Sequence, residues 1–243
     1  MDFKQEKNIL SAEETAIMLG ISVDTLRRWD KAGTFIPDAR TQGGHRKYTR
    51  TQIEEYLSNI VSKGKAWAKN GGVVSSDYLC EQSNIFQVRL DRVGKELFAR
   101  VGYTEIAPMI IAVAGEIGDN SFAHNIGNWP DTHGIFFGFD AVRNIIVLAD
   151  RGRGVQKTLQ RVRPELTNDH DALFVAFTEV VSGRAPEARG NGLKFVRKAA
   201  QKYPMRIFFQ SGDAETTLEP NREEFTISKS KESIPGCFAL INF

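Results

Sequence analysis

Two glycine-containing segments of the chain could bring backbone amides close to a bound ligand. In segment 150–154 (DRGRG), an acidic residue follows the apolar strand predicted over 144–149, so its carboxylate could accept hydrogen bonds while the glycines let the backbone approach. Segment 189–193 (RGNGL) opens a predicted helix, and the amides of a helix N-terminus attract phosphate. Each pattern alone is weak evidence. The first is often only a turn, and the second lacks the third glycine of a dinucleotide-binding loop.

A third group of polar residues recurs at helical spacing. Glu116, Asn120 and His124 are each four residues apart, so they share one face of a helix predicted over residues 104–125. The opposite face carries the apolar side chains of Ile106, Met109 or Ile110, Val113 and Ile117. The polar face is either exposed to solvent or lines a cleft, and the spacing leaves both interpretations open.

The N-terminal region carries the chain's excess of positive charge. Residues 1–70 contain 12 Lys and Arg against 9 Asp and Glu, whereas residues 71–243 contain 20 against 21. Between positions 27 and 50 there are seven basic residues and two acidic ones. A short basic stretch beside a neutral remainder indicates a small nucleic-acid-binding module, although a solvated face would give the same count.

Capping signals predict two short helices in this basic region. A capping box at 11–14 starts the first helix, and Ser22 caps a second helix that runs through Trp29. A hairpin or wing over residues 36–48 follows. In such a helix-turn-helix the second helix enters the major groove of DNA, and its early side chains reach the bases. Those side chains are Ser22, Asp24, Thr25, Arg27 and Arg28.

These segments resemble the MerR-type winged helix, and more closely its short form in excisionases and transposon-associated regulators. The residues that carry the resemblance are 11–16 (SAEETA), 19–22 (LGIS), 25–29 (TLRRW) and 43–48 (GGHRKY). The resemblance implies binding of double-stranded DNA, with Trp29 and Tyr48 as core or hinge residues. Full-length members pair through a long helix after this unit, for which residues 51–68 are too short. The implied DNA contacts are Ser22, Thr25, Arg27, Arg28, Arg40, His45, Arg46 and Lys47.

The three polar and glycine-containing groups, in this order, resemble the GHKL ATPase superfamily, which includes gyrase, histidine kinases and mismatch-repair proteins. The matching segments are 116–120 for its N box, 150–154 and 190–193 for its two glycine boxes, and 235–240 (PGCFAL) for its closing strand. The resemblance implies ATP and Mg²⁺ as cofactors, with Asn120 on Mg²⁺, Glu116 as catalytic general base and Asp150 on the adenine amino group. The other nucleotide-binding residues that it implies are His124, Gly152, Gly154, Gly190, Gly192, Leu193 and Cys237.

The same resemblance implies a mobile lid over residues 155–189. Its candidate phosphate-binding cations are Lys157, Arg161, Arg184 and Arg189. The chain departs from the family at Cys237, where a threonine is usual. It also has no helical hairpin with a phospho-accepting histidine ahead of the domain, which argues against an ordinary sensor histidine kinase.

The predicted fold class is α+β. A small α-helical winged helix-turn-helix domain over residues 1–62 is followed by a linker over 63–82 and a two-layer α/β sandwich of the GHKL (Bergerat) kind over 83–243. Helices are expected on one side of a mixed, largely antiparallel sheet. In the sandwich, helices are predicted over 83–100, 104–125, 155–163, 169–181 and 191–202, and strands over 134–139, 143–149, 206–210, 223–228 and 238–243.

The composition is that of an ordinary globular protein, with 243 residues, 41% hydrophobic and 26% charged. The two cysteines have no metal-ligand spacing, and no apolar run is long enough to span a membrane or act as a signal, so a cytoplasmic setting is expected. We expect a DNA-binding transcriptional regulator whose second domain binds, and slowly hydrolyses, Mg-ATP. The alternatives are an anti-sigma-type serine protein kinase that docks through the N-terminal domain, and a degenerate nucleotide binder that serves as a dimerising scaffold. A protein partner or a homodimer is compatible with each.

Overall fold

The computed structural model describes residues 9–19, 21–31, 33, 35–58, 60–127, 129–180 and 192–243. The chain forms two compact units, one of residues 1–62 with 139–144 and the other of residues 63–138 with 145–243. The fold is α+β, with helices and antiparallel sheets. Among the helices of the described segments, none is long and apolar enough to cross a membrane.

The first unit contains the predicted helix-turn-helix and wing. Its order is β1 (Ile9–Ser11), α1 (Ala12–Leu19), α2 (Val23–Lys31), β2 (Ala39–Arg40), β3 (Arg46–Thr49) and α3 (Arg50–Ser58). The three strands form an antiparallel sheet in the order β1-β3-β2. Strand β1 was not expected from the sequence, and it pairs Ile9 with Thr49 and Ser11 with Lys47.

Local side-chain caps start the helices of the first unit, and those of α1 and α2 are the caps predicted from the sequence. The Ser11 amide donates to Glu14 Oε2 at 2.8 Å, and the Glu14 amide donates to Ser11 Oγ at 3.2 Å, which completes the capping box of α1. The Thr25 amide donates to Ser22 Oγ at 3.1 Å and caps α2. The Gln52 amide donates to Thr49 Oγ1 at 3.2 Å and caps α3.

An apolar cluster fixes the two helices of the helix-turn-helix to the wing. Trp29 from α2 and Tyr48 from β3 are both buried in it, and the rings of Phe35 and Tyr48 stack with their centres 5.4 Å apart. The core assignment of Trp29 and Tyr48 is therefore confirmed. The buried members of the cluster are Ala16, Leu19, Leu26, Trp29, Phe35, Tyr48 and Ile53.

The second unit combines most of the helices with one sheet. Its elements are the greater part of α4 (Ile60–Asn70), then β4 (Leu79–Cys80), α5 (Ser83–Phe98), α6 (Ala107–Asn125), the greater part of β5 (Ile135–Asp140), β6 (Ile145–Asp150), α7 (Gly154–Leu159), α8 (Asp169–Thr178), α9 (Gly192–Lys202), β7 (Arg206–Leu218) and β8 (Ile227–Asn242). The strand order is β4-β5-β6-β8-β7. All five predicted helices of this region are present, although their ends differ by several residues.

The C-terminal hairpin differs from the prediction of three short strands. It consists of β7, with 13 residues, and β8, with 16, and residues 219–226 between them are not strand. The strand predicted over 223–228 is thus wrong over most of its length. The register of β7 against β8 shifts between Ser211 and Ala214, which indicates bulges in the pairing. The two strands therefore stay paired beyond this polar stretch, which in the sequence resembles the end of a strand.

Helix α4 lies where the sequence predicts a linker, and this local prediction is wrong. Trp67 and Ala68 of this helix are buried, and the Trp67 ring lies 6.3 Å from that of Phe136 on β5. The neighbouring Phe137 points to the other face of the sheet and meets Phe86 of α5. The sheet is therefore covered on both faces at β5, rather than on one side.

Candidate DNA interface and candidate nucleotide site

Helix α2 presents the side chains predicted to reach DNA bases. Arg27 and Arg28 are exposed. Arg27 forms an exposed ion pair with Asp24, with an Nη1 to Oδ1 distance of 2.9 Å. Ser22 Oγ and Thr25 Oγ1 lie 3.0 Å apart in a hydrogen bond, so both of these predicted contacts also serve the start of the helix. The two arginines are the members of this group most able to pair with guanine.

The wing places its cations in two different surroundings. Arg40 of β2 and Arg46 of β3 both donate to Asp30 of α2, each at 2.6 Å. Lys47 alternates to the other face of β3, where it pairs in register with Ser11, and His45 at the wing tip is exposed. Arg46 is therefore an anchored residue, which the sequence pattern does not reveal. That Arg46 contacts a DNA phosphate stays a prediction.

A pocket of about 300 Å³ lies between the wing, the start of α1 and Arg27. It is lined by backbone and polar side chains from Ser11–Glu13 and from the wing segment Gly43–Lys47. Gly44 has a φ of 78° at the tip, a conformation that glycine adopts at no steric cost. The wing tip can therefore turn tightly beside the recognition helix.

In the second unit, the polar face of α6 meets the start of α9. Glu116 and Asn120 are partly buried, and Asn120 Nδ2 donates to Glu116 Oε1 at 3.1 Å. A Cβ atom on Gly192 would lie 2.3 Å from Glu116 Oε1 and 2.5 Å from Asn120 Nδ2. Two segments that are more than 70 positions apart in the sequence therefore touch at this glycine. His124 lies one turn beyond Asn120 and is partly buried.

Asp150 ends β6 against the same helix. Its side chain is buried, and its two oxygens accept hydrogen bonds from Ser121 Oγ at 2.7 Å and from the Gly152 amide at 2.8 Å. Burial raises the pKa of the Asp150 carboxyl above its ordinary value, although the hydrogen bonds from Ser121, Gly152 and Cys237 act in the opposite direction. Those donors favour the carboxylate, which is the form that accepts further hydrogen bonds.

The closing segment of β8 packs directly on Asp150. A Cβ atom on Gly236 would lie 2.3 Å from the Asp150 carbonyl oxygen and 2.7 Å from the Gly152 nitrogen. Burial and the nearby Asp150 carboxylate raise the pKa of the Cys237 thiol well above its ordinary value, so the thiol stays protonated. Cys237 is thus a neutral neighbour of the carboxylate.

Several residues that support this region were missed from the sequence. Asn125 accepts a hydrogen bond from the Arg153 amide at 2.9 Å, and Ser211 Oγ accepts one from the Val155 amide at 2.8 Å. Ser121 and Asn125 are one helical turn apart, which forms a second polar row beside that of Glu116 and Asn120. That spacing is the signal by which they could have been found.

Arg151, inside the first glycine-containing segment, has a structural role. It is 8% exposed and donates to the carbonyl oxygens of Trp67 and Ala68, at 3.2 and 2.7 Å, near the end of α4. It also pairs with Asp131. The Trp67 carbonyl also accepts from the Gly71 amide at 2.8 Å, so the closer contact of Arg151, to the Ala68 carbonyl, is the one that satisfies a carbonyl of the last helical turn.

The remaining predicted nucleotide contacts have unequal support. Gly152 and Gly154 follow Asp150, and Leu193 is the second residue of α9. Lys157 and Arg161 are exposed. Gly190, Arg184 and Arg189 lie outside the described residues. Among the described residues, no cluster of His, Cys, Asp and Glu could by itself hold a metal ion.

A helix-turn-helix with a wing defines a class of DNA-binding proteins in which one helix reads the major groove. Residues 12–48 match the family described as MerR family regulatory protein. This segment is therefore a MerR-type helix-turn-helix, which suggests a DNA-binding regulator whose partner is DNA. A search of curated proteins found no match to the chain.

Proposed function

We propose that the protein is a cytoplasmic transcriptional regulator that binds double-stranded DNA through its first unit and Mg-ATP through its second. The DNA-binding part rests on the match of residues 12–48 and on exposed Arg27 and Arg28 in the recognition helix. The nucleotide part rests on one observation. Three distant segments meet on α6, because Gly192 touches Glu116 and Asn120 while Asp150 is held by Ser121.

The residues at Asp150 fit an adenine ring. The Asp150 carboxylate accepts hydrogen bonds from Ser121, Gly152 and Cys237, and an ionised carboxylate has about four acceptor sites in all. Capacity therefore remains for the amino group of adenine. Glycine at positions 152 and 236 keeps this segment free of Cβ atoms, which would collide with Asn125 and with the Asp150 backbone. The buried acceptor and the glycines that surround it support a base-binding role.

The residues at α6 and α9 fit the phosphate end of the nucleotide. The amides at the start of α9 attract negative charge, and the Asn120 amide oxygen is a hard ligand of the kind that Mg²⁺ prefers. When bound, Mg²⁺ neutralises phosphate charge. Glu116 is hydrogen-bonded to Asn120, so its carboxylate would be oriented to accept a proton from an attacking water molecule. We propose slow hydrolysis, because a regulator needs a switch rather than a high flux.

The nucleotide site is tested by calorimetry with Mg²⁺ and a non-hydrolysable ATP analogue. The wild-type protein should bind the analogue, and Asp150→Asn should bind it about 10- to 100-fold more weakly, because a hydrogen bond to a charged group contributes about 1.5–3 kcal/mol. The matched control is Asp119→Asn, which removes an exposed carboxylate of α6 that accepts a hydrogen bond from Gln87 of α5. Absence of binding by the wild-type protein, or an unchanged affinity in Asp150→Asn, would refute the assignment.

The DNA interface is tested by selecting bound duplexes from a random library and measuring affinity against salt concentration. Each lysine that contacts a phosphate contributes about 0.9 to the slope of log affinity against log salt. Lys47→Ala should flatten the slope by about one if Lys47 makes such a contact, whereas Lys198→Ala, an exposed position on α9, should leave it unchanged. A wild-type affinity that does not depend on salt would refute DNA binding through this unit.

A further inference from the structure

Asp30 joins the recognition helix to both strands of the wing. It lies in the last turn of α2, and one of its oxygens, Oδ2, accepts hydrogen bonds from Arg40 Nη2 and Arg46 Nε, each at 2.6 Å. Its side chain is 7% exposed, whereas those of Arg40 and Arg46 are 46% and 21% exposed. The carboxylate is therefore buried between the helix and the wing, and charge-assisted hydrogen bonds of this kind are the strong ones.

The two arginines would repel each other without this carboxylate. Arg40 and Arg46 are directly opposite in the β2–β3 ladder, so their side chains leave the same face of the wing. Like charges at directly opposite positions destabilise a strand pair. Asp30 offsets this repulsion, because one of its carboxylate oxygens accepts hydrogen bonds from both guanidinium groups.

We propose that Asp30 is a positioning residue for DNA recognition, which fixes the wing against α2 so that both can engage one stretch of duplex. The inference rests on the proposed binding of DNA by the first unit. This role predicts a change in DNA affinity that is opposite in sign to the change expected from charge alone. Removal of a negative charge from a DNA-binding face should strengthen binding to any duplex, whereas release of the wing should weaken binding to the preferred one.

Another helix of the same unit carries a matched control. Glu55 of α3 has the same charge as Asp30, is exposed, and is not among the predicted DNA contacts. Glu55→Gln therefore removes one negative charge from the first unit without releasing the wing. A comparison of the variants at positions 30 and 55 separates charge from positioning.

The experiment measures affinity for a selected duplex and for a scrambled duplex of equal length, at one salt concentration. We expect Asp30→Asn to lose at least about tenfold in the ratio of the two affinities, which is the scale of losing a base-specific contact. Its affinity for the scrambled duplex should be equal to that of the wild type or higher. Glu55→Gln should keep the wild-type ratio.

Asp30→Glu is the second variant, because it keeps the charge but lengthens the side chain by one methylene. If Asp30 acts by position, this variant should also have a lower ratio, although electrostatics predicts no change. It decides the question alone if Asp30→Asn does not fold, as judged by circular dichroism. A wild-type ratio in the folded variants would overturn the proposal. Failure of the wild-type protein to prefer any duplex would instead refute the proposed function.

Discussion

Addition of one methyl group at Gly192 would test whether α9 and α6 form a single site. In Gly192→Ala the new Cβ would lie 2.3 Å from Glu116 Oε1, while Cβ contacts below 3.0 Å are essentially never seen in proteins. Glu116 must therefore move its carboxylate by most of an ångström, and Asn120 Nδ2, at 2.5 Å from the Cβ, must move as well. Both colliding atoms are ends of flexible side chains, so the backbone can stay where it is.

The expected result is a loss of function with little loss of stability. The 3.1 Å hydrogen bond between Glu116 and Asn120 would be broken, and such a partly exposed bond contributes about 0.5–1.5 kcal/mol to folding. Alanine at the start of a helix is otherwise favourable, which offsets part of that cost. A misplacement of about 1 Å in a catalytic group can lower turnover by about a hundredfold. We therefore expect ATP hydrolysis to fall by about that factor, with a melting temperature within a few degrees of the wild type.

The assay is steady-state release of phosphate from Mg-ATP, with a thermal melt of the same samples. Gly115→Ala is the control, because Gly115 precedes Glu116 in α6 and its Cβ would meet only Leu90 of α5, at an acceptable 3.4 Å. It should retain wild-type turnover. If the wild-type protein hydrolyses ATP and Gly192→Ala does so at the same rate, the contact between these segments has no part in catalysis, and this interpretation is wrong.

Four further outcomes are expected. Glu116→Gln should bind the ATP analogue normally in calorimetry but lower turnover by about 10²–10⁴, because the amide cannot take a proton; equal turnover would exclude a general base at this position. Burial alone would raise the pKa of Asp30, but hydrogen bonds from its two arginine partners lower this pKa below its ordinary value. The contribution of Asp30 to the free energy of unfolding should therefore be complete above about pH 4 and decline as the pH falls further. Denaturant titrations should show this decline in the wild type, and Asp30→Asn should lack it. Gly118→Ala should lower the unfolding free energy by about 1–3 kcal/mol, because its Cβ would lie 2.3 Å from the buried ring of Phe86. Arg151→Ala should leave the Ala68 carbonyl near the end of α4 without its Arg151 donor and cost about 1–3 kcal/mol in the same measurement, and a neutral effect would show that water replaces the guanidinium.

The first unit was largely predictable because local interactions determine it. The caps at Ser11 and Ser22 are formed with residues only three positions away, so the sequence contains both partners of each hydrogen bond within one turn. The tie between Asp30 and the wing could not be found in this way. Asp30 is 10 positions from Arg40 and 16 positions from Arg46. In the sequence, nothing distinguishes these three charged residues from the other charged residues of the same stretch.

Helix α4 was missed because its helical signal is obscured by a glycine. Gly64 has high conformational freedom in an isolated chain and therefore predicts a break. In the folded protein it is required by packing, since a Cβ there would lie 2.7 Å from Val147 on the sheet. For the candidate site, the three segments and the role of Asp150 as an acceptor were predicted. Contacts such as that between Asp150 and Ser121 depend on the tertiary fold, and no local spacing connects them.

The position of α4 determines how the chain can be divided for experiments. A fragment that begins at residue 83, the boundary predicted from sequence, would lack both α4 and β4. The rings of Trp67 and Tyr78, which lie 6.3 and 5.1 Å from Phe136, would be absent, and this face of the sheet would be exposed to water. Such a fragment would present an apolar surface and an unpaired β5 edge, both of which promote aggregation. A fragment made to study the second unit should therefore begin at or before residue 60, where α4 starts.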